Sequence, residues 1–517
     1  MSHSPALGTP VTFTRVMTPG HLTHISGMCA ACTADCTGPC EVGLSAVRGA
    51  EALNPFAADI NQFASEKRYP LDFSHFTING RVFGAQGCPE DPNEATFAKV
   101  KLRTTFGLAD PVAIDAPFIL PAMAKLNWKD YFGGAALAGV PVVIGEDVVA
   151  KDKGLAMENG RVTETPLIAE MVAAFRVHQR GRGDIILQGN YDDEFKGVLD
   201  HAITQLGVTS VELKFGQAAK GIQGFGRIPR IEDALRFQRQ GYLIHPDPSD
   251  PAVAEAHAKG RGPAFEKIGK LPMWNGEHLV KRVAELRALG ARRVCFKTGP
   301  FAPKDLKTIL SIASEAGVDL VTFDGAGGGT GHSPVKMMNE WGIPTVQLEN
   351  VVFSLARKFR ERGSTLPQIA ITGGFAMEDQ VFKGLALGAP YISLVGLGRA
   401  SMAAAMVGKR IGESLQQGAL PKEYARFGST MEELFADLRL LKGLYGDAAS
   451  TFSPGAIGVF SYLNRVSVGL RQLMALNRVF SLEHISRCDL IPLTDLAAKA
   501  SGLPTCEELL AKELEAL

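Results

Sequence analysis

Between about residues 115 and 400, short apolar runs rich in β-branched residues alternate with longer stretches in which apolar positions recur every three or four residues. The first pattern suits buried strands and the second amphipathic helices, so the chain is predicted to repeat a strand–helix unit with parallel strands. Eight runs stand out: PFILPAM (117–123), VPVVIG (140–145), DIILQG (184–189), SVELKF (210–215), RVCFK (293–297), DLVTFD (319–324), QIAITGG (368–374) and PYISLVG (390–396). Connecting stretches such as EHLVKRVAELRALG and DLKTILSIASEAG close on a glycine able to take the left-handed conformation that ends a helix. Eight repeats predict an α/β fold, a closed (β/α)8 TIM barrel rather than an open doubly wound sheet. One spacing breaks the rhythm. About 78 residues separate the fourth and fifth runs, so Gly216 to Glu277 is predicted to form a long excursion over the C-terminal ends of the strands, where such barrels carry their sites.

Outside the repeat the periodicity fades. Residues 41–110 hold turn signals such as ALNPF and CPEDPNE and are predicted to form an irregular collar with short helices. The expected organisation is an N-terminal segment (1–110), a barrel (111–410) and a helical C-terminal extension (411–517). Lys+Arg and Asp+Glu both number 54 and no long basic run occurs, so nothing points to nucleic acid or an anionic membrane as partner. No apolar stretch reaches the ~18 residues of a membrane span, and the opening MSHSPALGTPVTF lacks the pattern of a secretory leader. A cytoplasmic enzyme acting on a small molecule is therefore expected, with self-association left open.

The eight cysteines are unevenly placed. Cys29, Cys32, Cys36 and Cys40 form a C-x2-C-x3-C-x3-C run with Gly and Pro between them, whereas Cys88, Cys295, Cys488 and Cys506 are scattered. Four thiolates converging this way suit an iron–sulfur cluster of the 4Fe-4S type, although the middle gap is one residue longer than in bacterial ferredoxins and no Pro follows Cys40. A structural zinc knot takes the same ligands but usually gathers them as separated pairs. Cys88, in QGCPE, has the Cys-Pro signature that Cys40 lacks and is an alternative fourth ligand.

The ends of the predicted strands carry the remaining chemistry. Thr372, Gly373 and Gly374 follow the seventh run and GLGR, Gly396 to Arg399 with Gly398 between, follows the eighth. Barrels bind phosphate between these two loops, where glycines let backbone N–H groups approach and Arg399 adds charge. DGAGGGTGHSP after the sixth run, with Gly327, Gly328, Gly329 and Thr330, is not a dinucleotide fingerprint and is read as a backbone surface against a flat ring. Lys214 and Lys297 near the ends of the fourth and fifth strands are costly in a barrel interior unless each faces an anion or a reduced cofactor.

These residues resemble the FMN-binding synthase domain of glutamate synthase, and in particular stand-alone proteins built on that domain. DGAGGGTGHSP is similar to that family's Gly-rich loop, with His332 where Ala is usual; VELKFGQAAKG resembles its I-E-I-K-x-x-Q-G-A-K-P segment. ITGGF with ALGA, PFILPAM with Met123, VVIGE with Glu146, and the tail LRQLMALNRVFSLEHISRCDLI resemble further segments, so the likeness spans most of residues 111–490. The resemblance implies that electrons enter at the cluster, pass to FMN and leave as hydride to an electrophilic carbon such as an imine. It implies that Met123, Gln188, Lys297 and the glycine loops hold FMN, and that Glu146, Lys214 and Gln217 bind a keto acid. His332 is the expected proton donor, with a supporting hydrogen-bonded role as the alternative; Lys297 and Glu146 complete the expected catalytic set. A ferredoxin or reductase is the implied electron donor.

Departures qualify the substrate. GLGRASMAAAMVGKRIG lacks the three cluster cysteines that the family places after strand eight, as if the cluster had moved to the N-terminal segment. Met1 is followed by Ser2 and nothing resembles a glutaminase domain, so glutamine hydrolysis is not expected. The loops IQGFGRIP and LPMWNGEHL differ from the family's, which puts 2-oxoglutarate in doubt. Two alternatives stay open: another FMN-barrel reaction, such as double-bond reduction or small-acid oxidation, and a non-catalytic electron-transfer or assembly subunit.

Overall fold

The structure is a computed structural model and describes residues 34–35, 41–49, 63–64, 69–89, 91–123, 127–216, 225–327, 329–330, 337 and 340–517. All eight apolar runs form strands: β1 (Phe118–Met123), β2 (Val142–Ile144), β3 (Ile185–Gly189), β4 (Ser210–Lys214), β5 (Arg293–Thr298), β6 (Leu320–Asp324), β7 (Gln368–Thr372) and β8 (Ile392–Gly396). They pair in parallel and close in the order β4-β5-β6-β7-β8-β1-β2-β3, a (β/α)8 barrel. The two-residue alternation of side chains sorts each strand. Ile119, Val143, Ile186, Cys295, Leu320, Ala370 and Leu394 form one inner cluster, while Leu120, Val142, Ile144, Leu187 and Val294 join the large core beneath the helices.

The returning helices are α1 (Trp128–Leu137), α2 (Pro166–Arg176), α3 (Val198–Leu206), α4 (Gly276–Ala288), α5 (Pro303–Ala316), α6 (Thr345–Glu361), α7 (Glu378–Gly388) and α8 (Arg399–Gln416). Local signals mark their ends: Asn275 caps α4 by accepting the N–H of His278 at 2.8 Å, and α5 begins on Pro303 and ends on Gly317 with φ +65°. A ninth helix, α9 (Pro454–Leu476), lies across α1 and α8. It can approach closely because the crossing is lined by glycine: a Cβ on Gly408 would stand 2.5 Å from Pro454 O, and one on Gly458 2.6 Å from Ala404 O.

The N-terminal end of the barrel is plugged. A hairpin of Thr104–Phe106 and Val112–Ile114 inserts Phe106 and Ile114 into the inner cluster. Around it Arg293, 4 % exposed, donates to Asp184 at 2.9 Å and Asp110 at 3.0 Å. Asp319 accepts from Arg287 at 2.8 Å and from the N–H groups of Leu108, Ala109 and Val294 at 2.9–3.1 Å.

The collar is tied to the C-terminal extension. Phe76–Ile78 pairs antiparallel with Leu490–Pro492, and Arg81 meets the buried Asp489 at 2.5 Å. Further forward, Phe63–Ala64 pairs with Gly329–Thr330, so the collar also reaches the Gly-rich loop at the barrel's mouth. The excursion between β4 and β5 contains a three-stranded antiparallel sheet, Phe225–Ile228, Phe265–Ile268 and Leu243–His245, with helices at Ile231–Arg239 and Pro251–Ala258. Ile228, Ala234 and Phe265 give it a small core of its own.

Candidate active site

At the C-terminal mouth the inward positions turn from apolar to polar. Because Ile186 and Leu320 face the interior, the alternating Gln188 and Thr322 face it too, and Glu212, Lys214 and Lys297 do so on the two strands between. All five are buried, with exposures between 1 % and 4 %. Lys214 forms an ion pair with Glu146, which the turn after β2 presents. Lys297 Nζ lies 3.6 Å from Asp324 Oδ2 at the end of β6. Gln188 Nε2 donates to Glu212 Oε1 at 2.6 Å. Burial pushes the Glu212 carboxyl up, opposed by the nearby charges of Lys297 and Lys214. Two buried polar atoms of this cluster, Gln188 Oε1 and Thr322 Oγ1, have no hydrogen-bond partner among the described residues. Such atoms inside a packed barrel mark a place where a ligand's own polar groups are expected.

Beside this cluster the next residue along, Asp147, adopts φ +59°, which is unusual for a side chain other than glycine. It is held from three sides. Its N–H donates to Asp193 Oδ2 at 2.9 Å, its Oδ1 accepts from Tyr242 at 2.8 Å, and its carboxylate pairs with Lys267. Tyr242 lies under both the Lys196 and Lys267 ammonium groups, 3.5 and 4.0 Å from its ring centroid. Lys270 adds an ion pair to Asp192 at 2.9 Å. The excursion thus docks on the loops after β2 and β3 through charge, next to the Glu146–Lys214 pair. Burial and the adjacent Asp147 push Asp193 up to about 7.

The glycines after β7 serve two purposes. Gly373 and Gly374 have φ +124° and +101°, and a Cβ on Gly373 would fall 2.6 Å from Thr345 Oγ1 and 2.7 Å from Gly325 O. Thr345, opening α6, donates to Gly373 O at 2.7 Å, so this loop and the Gly-rich loop pack backbone on backbone. Gly398 is different: a Cβ there would meet nothing closer than 3.7 Å. It precedes α8, an 18-residue helix with no side-chain cap on its first N–H groups, and Arg399 is exposed beside it. That combination suits an anion at the helix N-terminus. A cleft of about 450 Å³ is lined by Tyr69 and Leu71–Ser74 of the collar, Gly327, Thr345, Gly373–Gly374 and Lys383.

The structure therefore gathers Glu146, Gln188, Lys214 and Lys297 at one mouth, with the β7 and β8 glycine loops on the adjoining strands and Met123, half-buried, at the end of β1. Cys29, Cys32, Cys36, Cys40, Gln217, Gly328 and His332 lie outside the described residues; for Gly329 and Thr330 only the backbone pairing is described. Among the described residues no group of three His, Cys, Asp or Glu is placed to hold a metal ion. Cys295 is buried in the inner cluster, and Cys88 is half-buried. Sequence reasoning missed Glu212, Asp324 and Thr322, although Glu212 stands two residues before Lys214 on a strand and so must share its face. Nothing local signalled the Asp147–Asp193–Tyr242 docking.

The conserved region of glutamate synthase matches residues 270–408. An archaeal-type glutamate synthase [NADPH] of Dehalococcoides mccartyi is 28 % identical over 185 residues, 36 % of this chain and 33 % of that protein. The archaeal glutamate synthase [NADPH] of Archaeoglobus fulgidus is 33 % identical over 89 residues, 17 % of each chain. The matched stretch thus spans about a third or less of these relatives' length. Among solved structures, the flavin-binding domain of baker's yeast flavocytochrome b2 has a TM-score of 0.46 at 16 % identity, covering 85 % of this chain and 81 % of that one. A lactate oxidase of Pediococcus acidilactici has 0.44 at 16 % identity, covering 82 % and 84 %.

Proposed function

We propose that the chain, which over residues 270–408 matches the conserved region of glutamate synthase, is a glutamate synthase-related, FMN-dependent oxidoreductase served by an iron–sulfur cluster and acting on a small carboxylated substrate of the 2-oxoacid or imine type. One observation carries the reading: two lysines and two unsatisfied polar atoms, Gln188 Oε1 and Thr322 Oγ1, are buried together at the mouth of the barrel. Gathered at one strand end beside the paired lysines, such atoms support a ligand whose polar groups complete them. The residues fit a flavin mononucleotide. Lys297 supplies positive charge beside a ring that becomes anionic on reduction, Gln188 and Thr322 offer polar contacts, and Gly398 with the start of α8 leaves open backbone for the phosphate. FMN supplies the ability to take electrons singly and deliver them in pairs.

The remaining residues suit the substrate. Lys214 is an ammonium buried against Glu146, and a substrate carboxylate entering there exchanges one anionic partner for another without leaving the charge alone. Glu146, released from that pair, can hold or give a proton at its carboxyl, the role also proposed for His332. Cys29, Cys32 and Cys36, with Cys40 or Cys88, are proposed to hold the cluster. What supports this is their spacing, together with the pairing of Phe63–Ala64 onto Gly329–Thr330, which brings the segment that follows the cysteines to the mouth. A ferredoxin or reductase is the proposed electron donor.

Anaerobic purification tests both groups. Yellow protein that releases FMN on acid treatment, with iron that is lost on Cys29→Ser or Cys32→Ser and kept in Cys506→Ser, is the expected result. Colourless protein that takes up no FMN, or zinc without iron, would overturn the corresponding half of the proposal.

A further inference from the structure

A primary amide is nearly symmetric in shape, so packing alone does not decide which end of a buried glutamine points where. Gln188 is 1 % exposed and its two ends are treated differently: Nε2 donates to Glu212, while Oε1 has no partner among the described residues. Glu212 is itself 1 % exposed, directly across from Gln188 in the β3–β4 ladder. A carboxylate only accepts, so it takes the NH2 end and leaves the carbonyl turned the other way. Burial pushes the Glu212 carboxyl up while the charges of Lys297 and Lys214 oppose it, and the 2.6 Å contact from Gln188 Nε2 to Glu212 Oε1 is what turns the amide carbonyl away.

The choice has a chemical consequence. An amide offering its NH2 group would pair with a carbonyl or carboxylate; one offering its carbonyl demands a donor. The oxidised isoalloxazine ring has a single N–H, at N3 of the pyrimidine edge. We propose that Glu212 is a positioning residue that fixes the Gln188 amide with its carbonyl free, so that the site selects a flavin by its N3–H. The inference rests on FMN being the bound group and goes beyond it, because it assigns Glu212 a role and predicts which flavins are refused.

The test titrates flavin-free full-length protein with FMN and with N3-methyl-FMN, following quenching of flavin fluorescence. Wild-type protein should prefer FMN by about 10–100-fold, since a buried acceptor left without its donor weakens binding on that scale. Glu212→Gln, of nearly equal volume, lets either end of Gln188 face the ring. It should weaken FMN by about tenfold while changing N3-methyl-FMN little, and any steric burden of the methyl group cancels between the two proteins. Gln188→Leu should likewise compress the preference. Equal losses for both flavins in Glu212→Gln, or no preference in the wild type, would overturn the proposal while leaving the FMN reading intact. Failure of wild-type protein to bind FMN at all would overturn that reading and this inference with it.

Discussion

Arg293 and Lys297 stand on the same strand, four residues apart and on the same face, yet the two ends of the barrel treat them in opposite ways. At the floor Arg293 is surrounded by Asp184, Asp110, Ser210 and Thr209, and Asp319 nearby has a donor for every direction it faces. At the mouth Lys214 pairs closely with Glu146 and Lys297 stands 3.6 Å from Asp324, but Gln188 Oε1 and Thr322 Oγ1 have no partner among the described residues. Buried charge at the floor is finished by the protein and holds the fold. At the mouth the charges are paired but neutral polar atoms are left unmatched, and that marks a site.

The largest effect expected from this contrast is at the floor. Arg293→Met strips Asp184 of its guanidinium partner inside the core and should cost about 3–5 kcal/mol in urea unfolding. Flavin affinity of the folded fraction should not change. A loss below about 1 kcal/mol would mean that the floor is no better satisfied than the mouth.

At the mouth the expected change is in binding. Lys214→Met keeps the length of the side chain and removes the ammonium, so Glu146 can take a proton instead of remaining an unpaired buried charge. FMN should stay bound, and the spectral perturbation of the flavin by 2-oxoglutarate, used as a probe, should need about tenfold more ligand, or ~1.4 kcal/mol. If FMN is lost instead, Lys214 belongs with the cofactor. An unchanged titration would remove Lys214 from the substrate site.

The smallest effect concerns the excursion. With its carboxyl pushed up to about 7, Asp193 in the native state keeps a proton that the unfolded chain has already released, so its contribution to stability declines as pH rises from about 4 to about 7. Asp193→Asn keeps an acceptor for the N–H groups of Asp147 and Asn190 and cannot ionise. Amide exchange of residues 225–268 should therefore become faster between about pH 4 and about pH 7 in the wild type, after correction for intrinsic exchange, by on the order of 1 kcal/mol, and stay flat in the variant. The same slope in both would place the titrating group elsewhere.

Local patterning determined the barrel. Seven of the eight strands lie within a run that was legible as β-rich and apolar, because inward and helix-facing positions both need apolar residues along most of a parallel strand, and β5 passes its run by one residue, Thr298. It also determined where the glycine loops after β7 and β8 and the two lysines fall, since those follow from the ends of the strands. Tertiary structure alone decided what these residues touch. Gly373 could be read from sequence as a phosphate-binding glycine, but its close approach to Thr345 and Gly325 comes from a neighbouring strand and helix. The plug of Phe106 and Ile114, the pairing of Phe76–Ile78 with Leu490–Pro492 and the docking of Tyr242 on Asp147 join residues far apart in the chain. Glu212 is the sharpest case: its place on the inner face was implicit in the alternation, but its hold on Gln188 appears only when β3 and β4 lie side by side, 2.6 Å apart at those two side chains. Periodicity reports which face a residue occupies, and contact depends on which strand closure places next to it.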